Sequence, residues 1–343
     1  MYTLRQYKKL LKLGLNLPRK VPNLVISKFY NRSVKVRSRP FFAQIEPTRK
    51  CNLRCPMCAR NSSFFDKKIG DMSFDNFREI IDKIPQLMII MLQGLGEPYL
   101  NNDFFKMAQY ANKKGIIVLT TTNGTLLNYR NIKKTIESGM SSISISIDSV
   151  DKNTYEKIRV GSNFESVVNN VKNLVRTRNR MKSDMSIYLT SVLMKDNIKE
   201  LPKFVEFAHK IGFDCLTFQP IAISGEYPID FNKPQKIEES DPESYYYISC
   251  ALERAKEVGL KLQFIYNKTF KPCIWLWEKI YIRWDGYVTP CCSIVNFSTG
   301  NILKQNLDEV WNDDIHKNMR EKFLRGEIPK ICSGCDMTRG FRK

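Results

Sequence analysis

An α/β fold, built on a parallel sheet with helices outside it, is predicted by three observations. Six short apolar runs recur along the chain, amphipathic stretches separate them, and no GxGxxG follows the first run. The runs are 41–46, 87–92, 116–121, 142–147, 186–193 and 214–219. Helical patterns lie near 73–84, 101–114, 130–138, 164–178 and 197–211. Connections of that length join parallel neighbours through right-handed crossovers. Without a dinucleotide-binding glycine loop a doubly wound sheet is disfavoured, which leaves a curved partial (β/α)6 barrel. In barrels of this kind the loops after the strands carry the chemistry.

At 343 residues the chain is long enough for one large domain with an appendage, or for two domains. The 17 residues MYTLRQYKKLLKLGLNL hold no uninterrupted apolar stretch, and no run of 18 apolar residues occurs anywhere. The reading is therefore a cytoplasmic protein whose ten cysteines are free to bind metal rather than to pair. The net charge of +20 is concentrated in residues 1–39, which hold eleven Lys or Arg and no acidic residue. Leu4, Tyr7, Leu10, Leu11 and Leu15 fall at helical spacing among Arg5, Lys8, Lys9 and Lys12. Such a helix suits either a peripheral contact with an anionic membrane or, the favoured alternative, packing on the barrel with its basic face in water. Nucleic acid is not expected, because no recognisable binding motif or basic–aromatic interleaving follows.

Cys51, Cys55 and Cys58 stand in CNLRCPMC, three thiolates for a cluster that takes four ligands. An iron left open in this way can hold a small molecule. A zinc knuckle is the competing reading, but no His or further Cys lies within 150 residues of Cys58 to complete it locally. The triplet resembles that of the radical S-adenosylmethionine (radical SAM) enzymes. The resemblance implies a [4Fe–4S] cluster with an open iron site that chelates S-adenosyl-L-methionine (SAM). It also implies reductive cleavage of SAM to methionine and a 5′-deoxyadenosyl radical.

The loops after the next strands extend that resemblance. Leu95-Gly96-Glu97-Pro98 is similar to the family's Gly-Gly-Glu-Pro element, with Leu95 in place of the first glycine; the resemblance puts Gly96, Glu97 and Pro98 at the SAM amino group. TTTNGTLL after the third run is a turn sequence often seen there in the family. At the end of the fourth run alternation points Ser146 and Asp148 to one side, two oxygen acceptors suited to a ribose diol. Arg159 supplies a fork-shaped donor for the SAM carboxylate, or else is a surface arginine. Met57 departs from the family's usual aromatic residue before the third cysteine.

A second cysteine group follows. Twelve residues separate Cys273 from Gly286, four separate Gly286 from Cys291, and Cys332-Ser-Gly-Cys335 lies close to the end. This spacing resembles the SPASM and Twitch auxiliary-cluster domains, with IYIRWDGYVTPCC reading as a hairpin turning at Asp285-Gly286. Five cysteines suffice for one auxiliary [4Fe–4S] cluster, most simply on Cys273, Cys291, Cys332 and Cys335; a zinc ribbon is the alternative. Cys292 is spare. It occupies the place where sulfatase-maturing relatives carry a catalytic Asp, so it is a candidate base, hydrogen donor or alternative ligand, or an inert thiol. Cys215 and Cys250 read as ordinary thiols, and His209 and His316 as surface or packing residues. Gln219 and the stretch 222–242, with Glu226, Asp230 and Asp241, follow the last strand, where substrate should sit.

The expected organisation is a basic leader (1–39), a radical SAM core barrel (40–225), a linking helix and strand (226–265) and a small C-terminal SPASM/Twitch-like domain (266–343). The expected activity is a radical SAM oxidoreductase, reduced by ferredoxin or flavodoxin, that dehydrogenates a small metabolite, sugar or lipid. A maturase acting on a peptide substrate is the alternative within the enzyme class. An electron-transfer protein, or a membrane- or RNA-binding adaptor, is the alternative outside it.

Overall fold

The computed structural model describes residues 20–29, 32–61, 66–221, 230–237, 241–265, 273–294, 297–333 and 335. In chain order its elements begin with α1 (Lys20–Phe29), β1 (Phe42–Ile45), α2 (Phe74–Lys83), β2 (Ile89–Leu92) and α3 (Phe104–Lys113). They continue with β3 (Ile117–Thr122), α4 (Tyr129–Glu137), β4 (Ser142–Ser146), α5 (Lys152–Ile158), α6 (Phe164–Arg180) and β5 (Ser186–Leu193). Then come α7 (Leu201–Ile211), β6 (Cys215–Pro220), α8 (Asn232–Gln235), α9 (Pro242–Glu257) and β7 (Leu262–Phe264). The C-terminal part adds α10 (Trp275–Glu278), β8 (Lys279–Ile282), β9 (Tyr287–Thr289), β10 (Gly300–Asn301), α11 (Leu307–Trp311) and α12 (Asp314–Leu324).

Among the described residues the strands form one sheet in the order β10-β9-β8-β1-β2-β3-β4-β5-β6-β7. Neighbours from β8 through β1 to β7 are parallel, and β9 and β10 are antiparallel. The six expected strands all form, within two residues of their expected ends. The sheet is wider than six strands, however. β7, in the stretch expected only to link two domains, pairs with β6, and β8 of the C-terminal hairpin pairs with β1. The hairpin is thus an extension of the barrel sheet, since β1 otherwise offers an unpaired edge that β8 satisfies.

Side chains alternate across the sheet. Ile45, Leu92, Val118, Ile145, Leu189 and Phe218 lie under the helices in the main core. The other face is half-buried along β5 at Tyr188, Thr190 and Val192. Local sequence starts the helices where they stand: Ser73, Asn128, Asp151 and Asn163 each accept a hydrogen bond from a backbone N–H of the first turn. Gly212, at φ +93°, closes α7 in the left-handed conformation that glycine takes without strain.

The basic leader divides in two. Leu24 of α1 packs with Phe41, Phe42, Met88, Ile89, Ile117 and Leu119 at the start of the barrel strands. Residues 33–39 then run along the C-terminal part. Trp277 Nε1 donates to Ser33 O, Arg320 Nη1 to Val34 O and Trp311 Nε1 to Ser38 O, while Val36 and Asn312 exchange two hydrogen bonds. The Leu4–Leu15 helix lies outside the described residues. No helix among the described residues is long and apolar enough to cross a membrane.

Candidate functional site

The strand ends converge on a cavity of about 300 Å³. Cys51, Cys55 and Cys58 line it from the loop after β1, Gly96 and Glu97 from the loop after β2, Thr122 and Asn123 from the end of β3, Ser146 from β4, Arg159 from the end of α5, and Gln219 from β6. Four segments far apart in sequence are locked together here. Glu97 N donates to Lys50 O at 2.7 Å, and Arg54 N to Val160 O at 2.9 Å. Asn123 Nδ2 donates to Asn52 Oδ1 at 2.9 Å, and Asn52 Nδ2 to Thr125 Oγ1 at 2.8 Å. Gly96 must be glycine for this approach, because a Cβ there would lie 2.4 Å from both Lys50 O and Thr48 O.

Glu97 is 2% exposed and accepts hydrogen bonds from Thr122 Oγ1 (2.7 Å), Asn123 N (2.8 Å) and Tyr99 N (3.3 Å). Burial pushes its carboxyl up to about 7, against the pull of those donors. Pro98 begins a short 3-10 turn behind it and is buried. Ser146 lines the cavity. Asp148 does not stand beside it: β4 ends at Ser146, alternation no longer governs two residues on, and the Asp148 carboxylate is fully buried. It accepts from Arg159 Nε at 2.5 Å and Val192 N at 2.8 Å. Burial works against the Arg159 charge, but Asp148 and the Cys55 thiol outweigh it and raise its pKa. Arg159 is therefore a cavity residue and not a surface one.

Burial also pushes the Cys55 thiol up to about 11 and raises Cys58. A bound metal reverses that order, because it takes the thiolate. Among the described residues no group of three or more His, Cys, Asp or Glu side chains is drawn together so as to hold a metal ion. Three thiols on one cavity wall, near the hydrogen-bonded carboxylates Glu97 and Asp148, are nonetheless the soft donor set that iron–sulfur clusters take.

Three thiols of the second cysteine group share one apolar cluster. Cys273, Cys291 and Cys332 pack around an apolar cluster of Val36, Leu276, Trp277, Ile294, Met319 and Phe323. Cys335 N donates to Cys332 O at 3.2 Å. Burial pushes Cys273 and Cys332 up to about 12, and neighbouring thiols add to it. Cys292 stays near Cys273, Cys291 and Cys335 and packs against Tyr281, as do Trp275, Ala59 and Leu95, the last of which lines the cavity. Burial raises its pKa as well.

The radical SAM superfamily model matches residues 45–208, and the SPASM iron–sulfur cluster-binding domain matches residues 273–336. The chain carries a radical SAM domain followed by a SPASM domain. The radical SAM domain binds a [4Fe–4S] cluster and SAM, and the SPASM domain binds an auxiliary iron–sulfur cluster. The tungsten-containing aldehyde ferredoxin oxidoreductase cofactor-modifying protein of Pyrococcus furiosus is 28% identical, over 86% of this chain and 87% of its own. An AdoMet-dependent heme synthase of Methanosarcina barkeri is 26% identical, over 88% and 93%. Among solved structures, SuiB of Streptococcus suis bound to its precursor peptide SuiA aligns with a TM-score of 0.67 at 16% identity, covering 89% of this chain and 70% of that one. BtrN in complex with AdoMet and 2-DOIA aligns at 0.52 and 15%, covering 87% and 93%.

The structure adds site residues that the sequence reading left out. Thr122 and Asn123, read only as a turn, hold Glu97 and Asn52, and Gln93 and Val192 line the cavity. Their place at the C-terminal ends of barrel strands was the available signal. Of the acidic residues noted after β6, Asp241 caps α9 and Asp230 is exposed, while Glu226 lies outside the described residues. His209 is exposed; His316 is buried beside Asp313 and packs on Trp311.

Proposed function

We propose that this radical SAM enzyme is an oxidoreductase that dehydrogenates a small, uncharged, polar metabolite. In this reading Cys51, Cys55 and Cys58 hold the cluster with the open iron, and Gly96, Glu97, Ser146 and Arg159 hold SAM. Asp148 keeps Arg159 charged and oriented, and Cys273, Cys291, Cys332 and Cys335 hold the auxiliary cluster. When bound, these groups supply a 5′-deoxyadenosyl radical that takes a hydrogen atom from a C–H bond and a sink for the electron left behind. Ferredoxin or flavodoxin supplies the reducing electron. Cys292 is the chain's candidate for receiving the substrate proton, a role it fills only as the thiolate, which the Lys279 charge favours and burial opposes.

One observation carries the substrate class. The inner face of the sheet beside the cavity presents Thr121, Ser144, Tyr188, Thr190, Thr217 and Gln219, all half-buried and all uncharged hydrogen-bonding groups. Thr121, Ser144 and Tyr188 stand in register across three strands, as do Ser146, Thr190 and Thr217. Ser144 and Thr190 hydrogen-bond to each other; hydroxyls and amides in such rows suit ligand hydroxyls and disfavour apolar groups that leave them unpaired. The curated relatives named for a cofactor and for heme agree with a non-peptide substrate, whereas SuiB carries a peptide.

The test is 5′-deoxyadenosine formation with dithionite, SAM and metabolite extract separated into neutral hydrophilic, anionic, cationic, apolar and macromolecular fractions. Stimulation by the neutral hydrophilic fraction is expected. Stimulation confined to any other fraction overturns the substrate class, and no 5′-deoxyadenosine under any condition overturns the enzyme reading.

A further inference from the structure

Glu46 follows β1 directly and is fully buried, yet it is neither a cysteine ligand nor a lining residue of the cavity. Its backbone N–H donates to Ile282 O of β8 at 2.9 Å. Its carboxylate joins three loops. Oε1 accepts from Leu95 N at 3.0 Å, in the loop that bears Gly96 and Glu97. Oε2 accepts from Arg49 Nε at 3.3 Å, two residues before Cys51, and from Trp284 N at 3.4 Å, in the turn of the β8–β9 hairpin.

The packing around it leaves little play. A Cβ on Gly94 would lie 2.3 Å from Glu46 Cγ, so the SAM-side loop is pressed onto this side chain. A Cβ on Gly70 would lie 2.1 Å from the Trp284 ring, and Arg49 N donates to Gly70 O at 3.0 Å, so the hairpin turn is seated on the segment that Arg49 also holds. Burying a carboxylate costs several kcal/mol unless its oxygens are satisfied. Only a carboxylate accepts from three N–H donors without turning a donor of its own toward one of them.

We propose that Glu46 is a positioning residue that registers the SAM-binding loop against the hairpin of the SPASM domain, so that a disturbance of the hairpin reaches SAM affinity through this carboxylate. The proposal rests on the reading that the Leu95–Glu97 loop contacts SAM. It names a coupling between two sites, which a double-mutant cycle measures.

The cycle combines Glu46→Gln with Trp284→Ala in the reconstituted full chain and reads the SAM dissociation constant by equilibrium dialysis, with iron counted per chain. Trp284→Ala loosens the hairpin without touching the cavity. It is expected to weaken SAM binding about fivefold or more in the wild-type background, within the usual range of such couplings. In the Glu46→Gln background it should weaken binding by less than about twofold, because the link is already broken; Glu46→Asp, which keeps the carboxylate, should restore part of the effect. The same fold-change in both backgrounds, or none in the wild type, overturns the proposal. If Glu46→Gln does not accumulate as folded protein, Gly94→Ala, which drives a methyl into the same side chain, takes its place under the same criteria. Iron content and 5′-deoxyadenosine formation report separately on the cluster and enzyme readings, so those can fail while the Glu46 link stands.

Discussion

Asp148 grips Arg159 from behind: the guanidinium Nε lies 2.5 Å from Asp148 Oδ2 while the same arginine lines the cavity. The carboxylate keeps a buried cation charged and fixes the direction in which its remaining N–H groups point. Asp148→Asn and Arg159→Lys should therefore lose SAM affinity alike, each about tenfold, or about 1.4 kcal/mol. Equilibrium dialysis with SAM checks this, and unchanged affinity in Asp148→Asn would remove the positioning role.

Anaerobic reconstitution should give about eight irons per chain, falling to about four when Cys51, Cys55 and Cys58 are all replaced by alanine. Four in the wild type and none in the variant would mean that the C-terminal cysteines hold zinc or nothing.

Glu97 makes stability depend on pH in a defined direction. Its folded pKa of about 7 stands above the unfolded value of 4.5. Its stabilising contribution is thus complete below about pH 4.5 and lost as pH rises through about 7. Compared with Glu97→Gln, the wild type should lose about 3 kcal/mol of unfolding free energy between pH 4.5 and pH 8. Parallel stability profiles for the two proteins by chemical denaturation would show the carboxyl to be unperturbed.

Gly96→Ala should abolish SAM binding while leaving the auxiliary iron in place. A Cβ would meet two backbone oxygens at 2.4 Å, and neither can swing away as a side-chain end would. Wild-type SAM affinity in this variant would contradict the close approach of the two loops.

Residues 33–39 should matter to the C-terminal part more than α1 does. A chain begun at residue 32 keeps the partners of Trp277, Trp311, Asn312 and Arg320, whereas one begun at residue 41 strands them, at about 1–3 kcal/mol for each buried group left unpaired. Iron should stay near eight per chain in the first and drop toward four in the second; equal loading in both would show that this segment is dispensable.

The six central strands, their parallel arrangement and both cysteine groups are legible in the sequence. Those depend on local quantities: alternation of apolar and polar residues, the length of each connection, and ligand spacing along a loop. The partner of Arg159 was not legible, because alternation lapses where β4 ends and Asp148 turns inward. Thr122 and Asn123 looked like an ordinary turn, since nothing near them in sequence announces Glu97 and Asn52 as their partners. That β8 joins β1 across more than 230 residues of chain, and that Glu46 thereby meets Leu95 and Trp284 at one point, emerges from the assembled fold alone. Strand pairing at an edge is made by backbone groups that every residue carries, so it leaves no mark in the side-chain pattern from which a sequence is read.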